Sequence, residues 1–261
     1  MKRARVLASA IFLFGMVGGM SGQSPTTKSS ASISKTGMDP ERLARIPARM
    51  KEFVDKGTIA GAVTLVARHG VVASLDAVGY QDLETKTPMH TDTIFQIRSM
   101  TKPVTAVGIM VLLEEGRLLL NDPVEKHLPE FRGQMVIDRR EGNSPRELKK
   151  PSRPITIADL LTHTSGIHGD ETMRLYSPSL SESPSVREAD LVPAKTLADH
   201  VSFIASEPLE FDPGTNFLYS SYGFATLGRI IEVVSSQPYE DFTERRILRP
   251  LAMKDSFFFP P

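Results

Sequence analysis

Ile94-Phe95-Gln96-Ile97-Arg98-Ser99-Met100-Thr101-Lys102-Pro103 is the stretch around which the chain is organised. A short apolar run delivers a serine and, three residues later, a lysine. On a helix, positions i and i+3 share a face, so the Ser99 hydroxyl and the Lys102 amine come within hydrogen-bond reach. Proline is tolerated inside a helix only in its first turn, where amides lack carbonyl partners, so Pro103 sets the helix start near Ser99. Residues 104–113 are almost wholly apolar and Gly116 offers a stop, which predicts a buried helix. A serine at that end has backbone amides and the positive end of the helix dipole beside it, and the lysine supplies a base. The pair is a candidate nucleophile and base. The same spacing also fits a helix cap followed by a solvated lysine. It recurs at Ser32-Ile33-Ser34-Lys35, in a polar tail without apolar periodicity, so spacing alone decides nothing.

The 261 residues suffice for one large domain or two small ones with a real core. Lys+Arg and Asp+Glu balance at 31 each, which argues against a nucleic-acid partner. At the N-terminus, Lys2, Arg3 and Arg5 precede an apolar run over 6–17 and then the small residues Gly18, Gly19, Ser21 and Gly22. That pattern predicts a secretory signal peptide over 1–22 and an exported protein, with an uncleaved N-terminal membrane anchor as the alternative. The run is short for a membrane span. The chain has no cysteine, which excludes disulfides, thiolate ligands and cysteine catalysis.

Residues 23–38 are rich in Ser and Thr and predict a disordered linker. Order is expected from Asp39-Pro40, a helix start followed by the apolar stripe Leu43, Ile46, Met50, Phe53 and Val54, with Pro47 as a bend. Residues 59–67 and 71–78 are β-rich and joined by Arg68-His69-Gly70, a hairpin with Gly70 at positive φ. Residues 93–98 predict a third extended piece. Asn121-Asp122-Pro123 opens a short helix ending near Leu128-Pro129. Thr156 with Asp159, and Thr196 with Asp199, are capping-box starts, the first for a helix expected to stop at Gly166. Asp212-Pro213-Gly214-Thr215 reads as a turn, Phe224, Leu227, Ile231 and Val234 as one helix face, and 239–248 as a last helix. Loop 137–154, cation-rich, reads as a solvated insertion, and loop 169–193 as a substrate cover or a mobile excursion.

Neither a Gly-x-Ser-x-Gly elbow, a Gly-rich phosphate loop nor a His-Glu-x-x-His zinc motif is present. Of the six histidines, His163 and His168 lie closest together, at an offset that suits neither a helix face nor a strand face. They read as loop or packing residues, so no metal is expected. A lysine-activated serine is the chemistry best placed, and it requires a further acid-base group to carry the proton to the leaving group.

Ser99-Met100-Thr101-Lys102-Pro103, the 116–131 run with Asn121-Asp122-Pro123-Val124, Leu160-Leu161-Thr162-His163-Thr164-Ser165-Gly166, Asp212-Pro213-Gly214-Thr215, Tyr219-Ser220-Ser221 and Pro250-Leu251-Ala252-Met253 occur in one order. In that order they resemble the class C β-lactamase-like serine hydrolases, which include family VIII carboxylesterases and D,D-peptidase-like penicillin-recognising enzymes. The resemblance covers about 39–261 and implies an α+β fold, an antiparallel sheet flanked by helices plus a mainly helical region. It implies Ser99 as nucleophile, Lys102 as proton acceptor and Tyr219 as second acid-base residue, with no cofactor. The bland alternative for Tyr219 is a core tyrosine with a satisfied hydroxyl. Ser221 stands at a substrate-binding position where the family carries asparagine, a departure that leans towards esters. The implied substrate is a small ester, an amide or a peptidoglycan-like molecule: carboxylesterase first, β-lactamase or D,D-carboxypeptidase next, and a non-catalytic or cell-wall-binding relative as a different class. The family's C-terminal Lys/His-Thr/Ser-Gly-like strand has no counterpart after Tyr219, which predicts a truncated reading of a longer enzyme.

Overall fold

A computed structural model describes residues 36–138, 147–169 and 196–259. The predicted signal peptide, most of the linker, the middle of loop 137–154 and nearly all of loop 169–193 lie outside the described residues. The described chain forms two compact units, divided between Ile94 and Phe95.

The first unit begins where expected. Asp39 caps α1 (Pro40–Asp55), its carboxylate accepting from the Glu41 and Arg42 amides at 2.8 and 3.3 Å. This satisfies two of the donors that a helix start leaves orphaned. The helix runs through Pro47 and lies on a hairpin of β1 (Gly61–Arg68) and β2 (Val71–Asp82). Two residues make the turn, His69 at φ 52 and Gly70 at φ 72, the mirror-image geometry that matches strand twist. Gly61 pairs with Gly79, and a Cβ on Gly61 would stand 2.6 Å from the Tyr80 carbonyl oxygen, so the close backbone approach there requires glycine.

The third strand is not where the sequence put it. β3 is Thr87–Pro88, paired with β2, and residues 93–97 join no ladder. Ile97 already has helical dihedrals and Arg98 turns to φ 48, so the chain bends before Ser99 and cannot extend into it.

The second unit is helical, around α6 (Ser221–Ser235). A 3₁₀ turn, Arg98–Met100, feeds α2 (Thr101–Glu114), which ends with Gly116 at φ 69. The Gly116 amide bonds to Leu113 and the Arg117 amide to Leu112, a Schellman stop. The expectation of a wholly buried α2 needs correction. Thr105, Gly108, Ile109 and Leu112 are buried, while Val107 and Met110 are exposed. A run apolar on every side carries no moment, so the neighbouring helices choose its buried stripe. Gly108 allows that choice: a Cβ there would meet Ile231 Cδ1 of α6 at 2.8 Å. Short α3 (Val124–His127), α4 (Ile157–Leu161), α5 (Leu197–Ser206) and α7 (Tyr239–Thr243), which continues as a π turn over Glu244–Leu248, complete the core. Two strand fragments, β4 (Val136–Ile137) and β5 (Leu148–Lys149), pair antiparallel.

Both capping boxes form as the sequence predicts, Thr156 with Asp159 and Thr196 with Asp199. The helix after the first one ends at Leu161, short of the expected Gly166, because His163 takes φ 59 and the Thr164 amide turns back to the Asp159 carbonyl. Asp159 does more than cap. Arg153 donates to its two oxygens at 2.6 and 2.8 Å, and Thr156 adds its hydroxyl and amide. Burial pushes the Asp159 carboxyl up, but the Arg153 and Thr156 bonds outweigh it and hold it below its ordinary value. A carboxylate depressed by folding contributes stability that is fully present above about pH 4 and is lost as pH falls through the folded value. Asp159→Asn is therefore expected to be less stable at pH 7 and to lose less on further acidification. Urea midpoints between pH 7 and 2.5 check this, and parallel curves for the two chains would refute it.

Candidate active site

Ser99 lies in the 3₁₀ turn that starts α2, with Lys102 one turn on. Lys102 Nζ donates to Ser99 Oγ at 3.3 Å, so the i, i+3 expectation for this pair holds as geometry. From 120 residues downstream, the Tyr219 hydroxyl donates to the same Oγ at 2.8 Å. Lys102 Nζ also donates to Ser221 Oγ at 3.1 Å and stands 4.6 Å from the centre of the Tyr219 ring and 5.7 Å from that of Phe224. All four residues singled out from the sequence thus meet in one cluster, Lys102 and Tyr219 on the Ser99 hydroxyl and Ser221 on Lys102. An ammonium over two aromatic faces is attracted by their quadrupoles, which holds Lys102 in place without a carboxylate partner.

The site is more open than a buried pair. Ser99 is exposed, Lys102 is half-buried and the Tyr219 side chain lies at the surface with the residue 43% exposed. The bend at Arg98 presents the serine outward. A cleft of about 390 Å³ opens here, between Ser99 in the 3₁₀ turn, Lys102 and Thr105 on α2, and Ser221, Ala225 and Gly228 on α6.

Tyr219 is placed by a network that its own tripeptide does not contain. Segment 209–220 is laced onto loop 162–169 by backbone bonds: Glu210 N–H to Gly166, Gly214 N–H to Thr164 and Leu218 N–H to His163, at 2.7, 2.8 and 2.9 Å. Gly214, at φ 84, makes the predicted turn with Thr215 bonded back to Asp212. Gly166, at φ 83, lets the Phe211 carbonyl pass where a Cβ would stand. Ser220 then caps α6, its hydroxyl accepting from the Gly223 amide at 3.3 Å and donating to the His168 carbonyl at 2.6 Å.

Sequence reasoning missed Ser220, His163 and Phe224 as parts of this site. Ser220 carried a signal, a serine just before a periodic apolar stretch. His163 carried none, because its contacts with Tyr219, Phe217 and Phe224 are all long-range in sequence. His168 is buried with its Nδ1 2.6 Å from Glu210 Oε1, in keeping with a packing role. Among the described residues no group of His, Cys, Asp and Glu is arranged to hold a metal ion.

Comparison with known proteins follows the same lines. A profile of the Beta-lactamase family matches residues 46–261. Esterase EstB of Burkholderia gladioli is 33% identical over 222 residues, 82% of this chain and 51% of EstB. The solved structure of EstCE1, described as a hydrolase with promiscuous acyltransferase activity, superposes with a TM-score of 0.66 at 30% identity, over 82% of this chain and 52% of that one. The octameric penicillin-binding protein homologue from Pyrococcus abyssi gives a TM-score of 0.64 at 30% identity, over 85% of this chain and 45% of that one. This chain thus spans about half the length of the relatives it matches. With helices and a small antiparallel sheet, as in these neighbours, and a family profile covering most of its length, the chain belongs to the β-lactamase family of hydrolases.

Proposed function

We propose that the chain is a serine hydrolase that acts through an acyl-enzyme on small esters. The convergence of Tyr219 Oη and Lys102 Nζ on Ser99 Oγ, at 2.8 and 3.3 Å, carries this reading. Ser99 Oγ attacks the carbonyl carbon and passes its proton to the Lys102–Tyr219 pair, in which a phenol beside an amine can share one proton. As the tetrahedral intermediate collapses, the C–O bond to the leaving alkoxide breaks and Tyr219, the more exposed of the two, returns the proton to it. Water then attacks the acyl-serine with the same pair as base; the carbonyl C–Oγ bond breaks, the acid leaves, and the proton taken from water returns to Ser99 Oγ. The Met100 and Thr101 amides bond to the Ile97 and Arg98 carbonyls, so the developing oxyanion is assigned to the Ser99 amide, with the helix dipole behind it.

Esters rank above β-lactams and D-alanyl peptides for two reasons. Ser221 Oγ accepts from Lys102 where the family's asparagine would offer a side-chain amide to substrate, and two similar proteins are named as an esterase and a hydrolase with promiscuous acyltransferase activity. The test is covalent labelling of the purified chain by a fluorophosphonate, with the modified peptide identified by mass. Label is expected on Ser99, with both label and p-nitrophenyl acetate turnover lost in Ser99→Ala. Turnover that survives the substitution would reject the assignment. A second reading, a cell-wall-binding relative without turnover, draws on the penicillin-binding protein homologue among the similar structures. An unlabelled, folded chain that retains a peptidoglycan fragment would favour it.

A further inference from the structure

The residues on either side of Tyr219 both bond to His163, one to its backbone and one to its ring. The His163 carbonyl accepts from the Leu218 amide at 2.9 Å, and His163 Nδ1 accepts from the Ser220 amide at 3.2 Å. Its ring lies along the Tyr219 ring, centroids 4.6 Å apart at 32°, and Phe224 at 5.2 Å and Phe217 at 5.8 Å enclose it. A ring nitrogen that accepts from a backbone amide carries no proton, so the imidazole is neutral with its hydrogen on Nε2.

We propose that neutral His163 is the positioning residue for Tyr219, a clamp that sets the phenol on Ser99 and lets go when the imidazole is protonated. The inference rests on the reading of Tyr219 as proton carrier. Protonation would set a ring N–H against the Ser220 N–H and break that bond. Among the described residues, the titratable groups on the same aromatic cluster are Tyr219 itself and, from α2, Lys102, whose ammonium lies over the Tyr219 and Phe224 rings. A protonated imidazole would add a second positive charge to that cluster and release the phenol.

Two variants of the full chain separate clamp from mere packing. His163→Asn keeps an acceptor and tolerates the left-handed φ of 59. His163→Phe keeps a ring and loses the acceptor. The readouts are the second-order rate of Ser99 labelling by a fluorophosphonate from pH 4.5 to 8.5, the imidazole ¹⁵N shifts, and circular dichroism to confirm folding. In the native chain the labelling rate is expected to fall on an acid limb that tracks the His163 ¹⁵N titration. His163→Asn should hold the pH 7.5 rate to within about threefold and lose that limb, since one retained hydrogen bond is worth about a factor of ten. His163→Phe should be about tenfold slower at pH 7.5 while folded. A Phe variant as fast as the native chain, or an unchanged acid limb in the Asn variant, overturns the clamp. If the native chain does not label at all, the hydrolase reading fails separately. The clamp is then decided by the ¹⁵N shifts, which support it with an unprotonated Nδ1 at pH 7.5 and overturn it with a protonated one.

Discussion

Exchanging Lys102 for methionine is expected to slow acylation of Ser99 by about 10³-fold, within the range that a positioned acid-base group contributes. Methionine is close to lysine in length, and its sulfur packs well on aromatic rings, so it can occupy the space over Tyr219 and Phe224. What disappears is the amine: its bond to Ser99 Oγ, its bond to Ser221 Oγ and its share in the proton held with Tyr219. The burst phase with p-nitrophenyl acetate and the fluorophosphonate labelling rate both report acylation directly. A loss below about tenfold would mean that Tyr219, or a group outside the described residues, takes the serine proton.

Truncating Phe242 to alanine is expected to cost about 3–5 kcal/mol of stability. Phe242 on α7 is fully buried, and its ring closes the space left by the missing side chain of Gly108, 3.5 Å from where that Cβ would be. The surrounding helices cannot collapse into the void, because Ile231 already packs over Gly108 and the Tyr239 hydroxyl is tied to Thr105 Oγ1 at 2.6 Å. Most of the cavity therefore persists and its cost is felt in full. Urea denaturation at pH 7.5 measures the loss, and a decrease under about 1 kcal/mol would show that the helices do relax. Since α2 carries both Ser99 and Lys102 near its start, the weakened variant also serves as a check on how far the site depends on this packing.

Much of the second unit was legible from short-range signals. Pro103 and Gly116 bracket α2, the two Thr-x-x-Asp boxes start α4 and α5, and Asp212-Pro213-Gly214-Thr215 turns as its composition requires. The misreadings share a cause. Residues 93–97 have strand-like composition but no ladder, α4 stops early at a histidine with positive φ, and α2 leaves Val107 and Met110 exposed. In each case a contact or bend beyond the local window overrides a preference worth less than about 1 kcal/mol per residue.

By itself the sequence determined the caps, the turns and the pairing of Ser99 with Lys102, since each depends on atoms within about one helical turn and on dihedrals that only certain residues adopt. Tertiary structure alone decided that Tyr219 reaches Ser99 and that His163 stands behind it. The bonds behind these placements span 120 residues of chain from Ser99 to Tyr219 and 57 from His163 to Ser220, and they are set by how segment 209–220 beds onto loop 162–169. Such a placement sums many weak contacts between distant segments, and no local pattern encodes that sum.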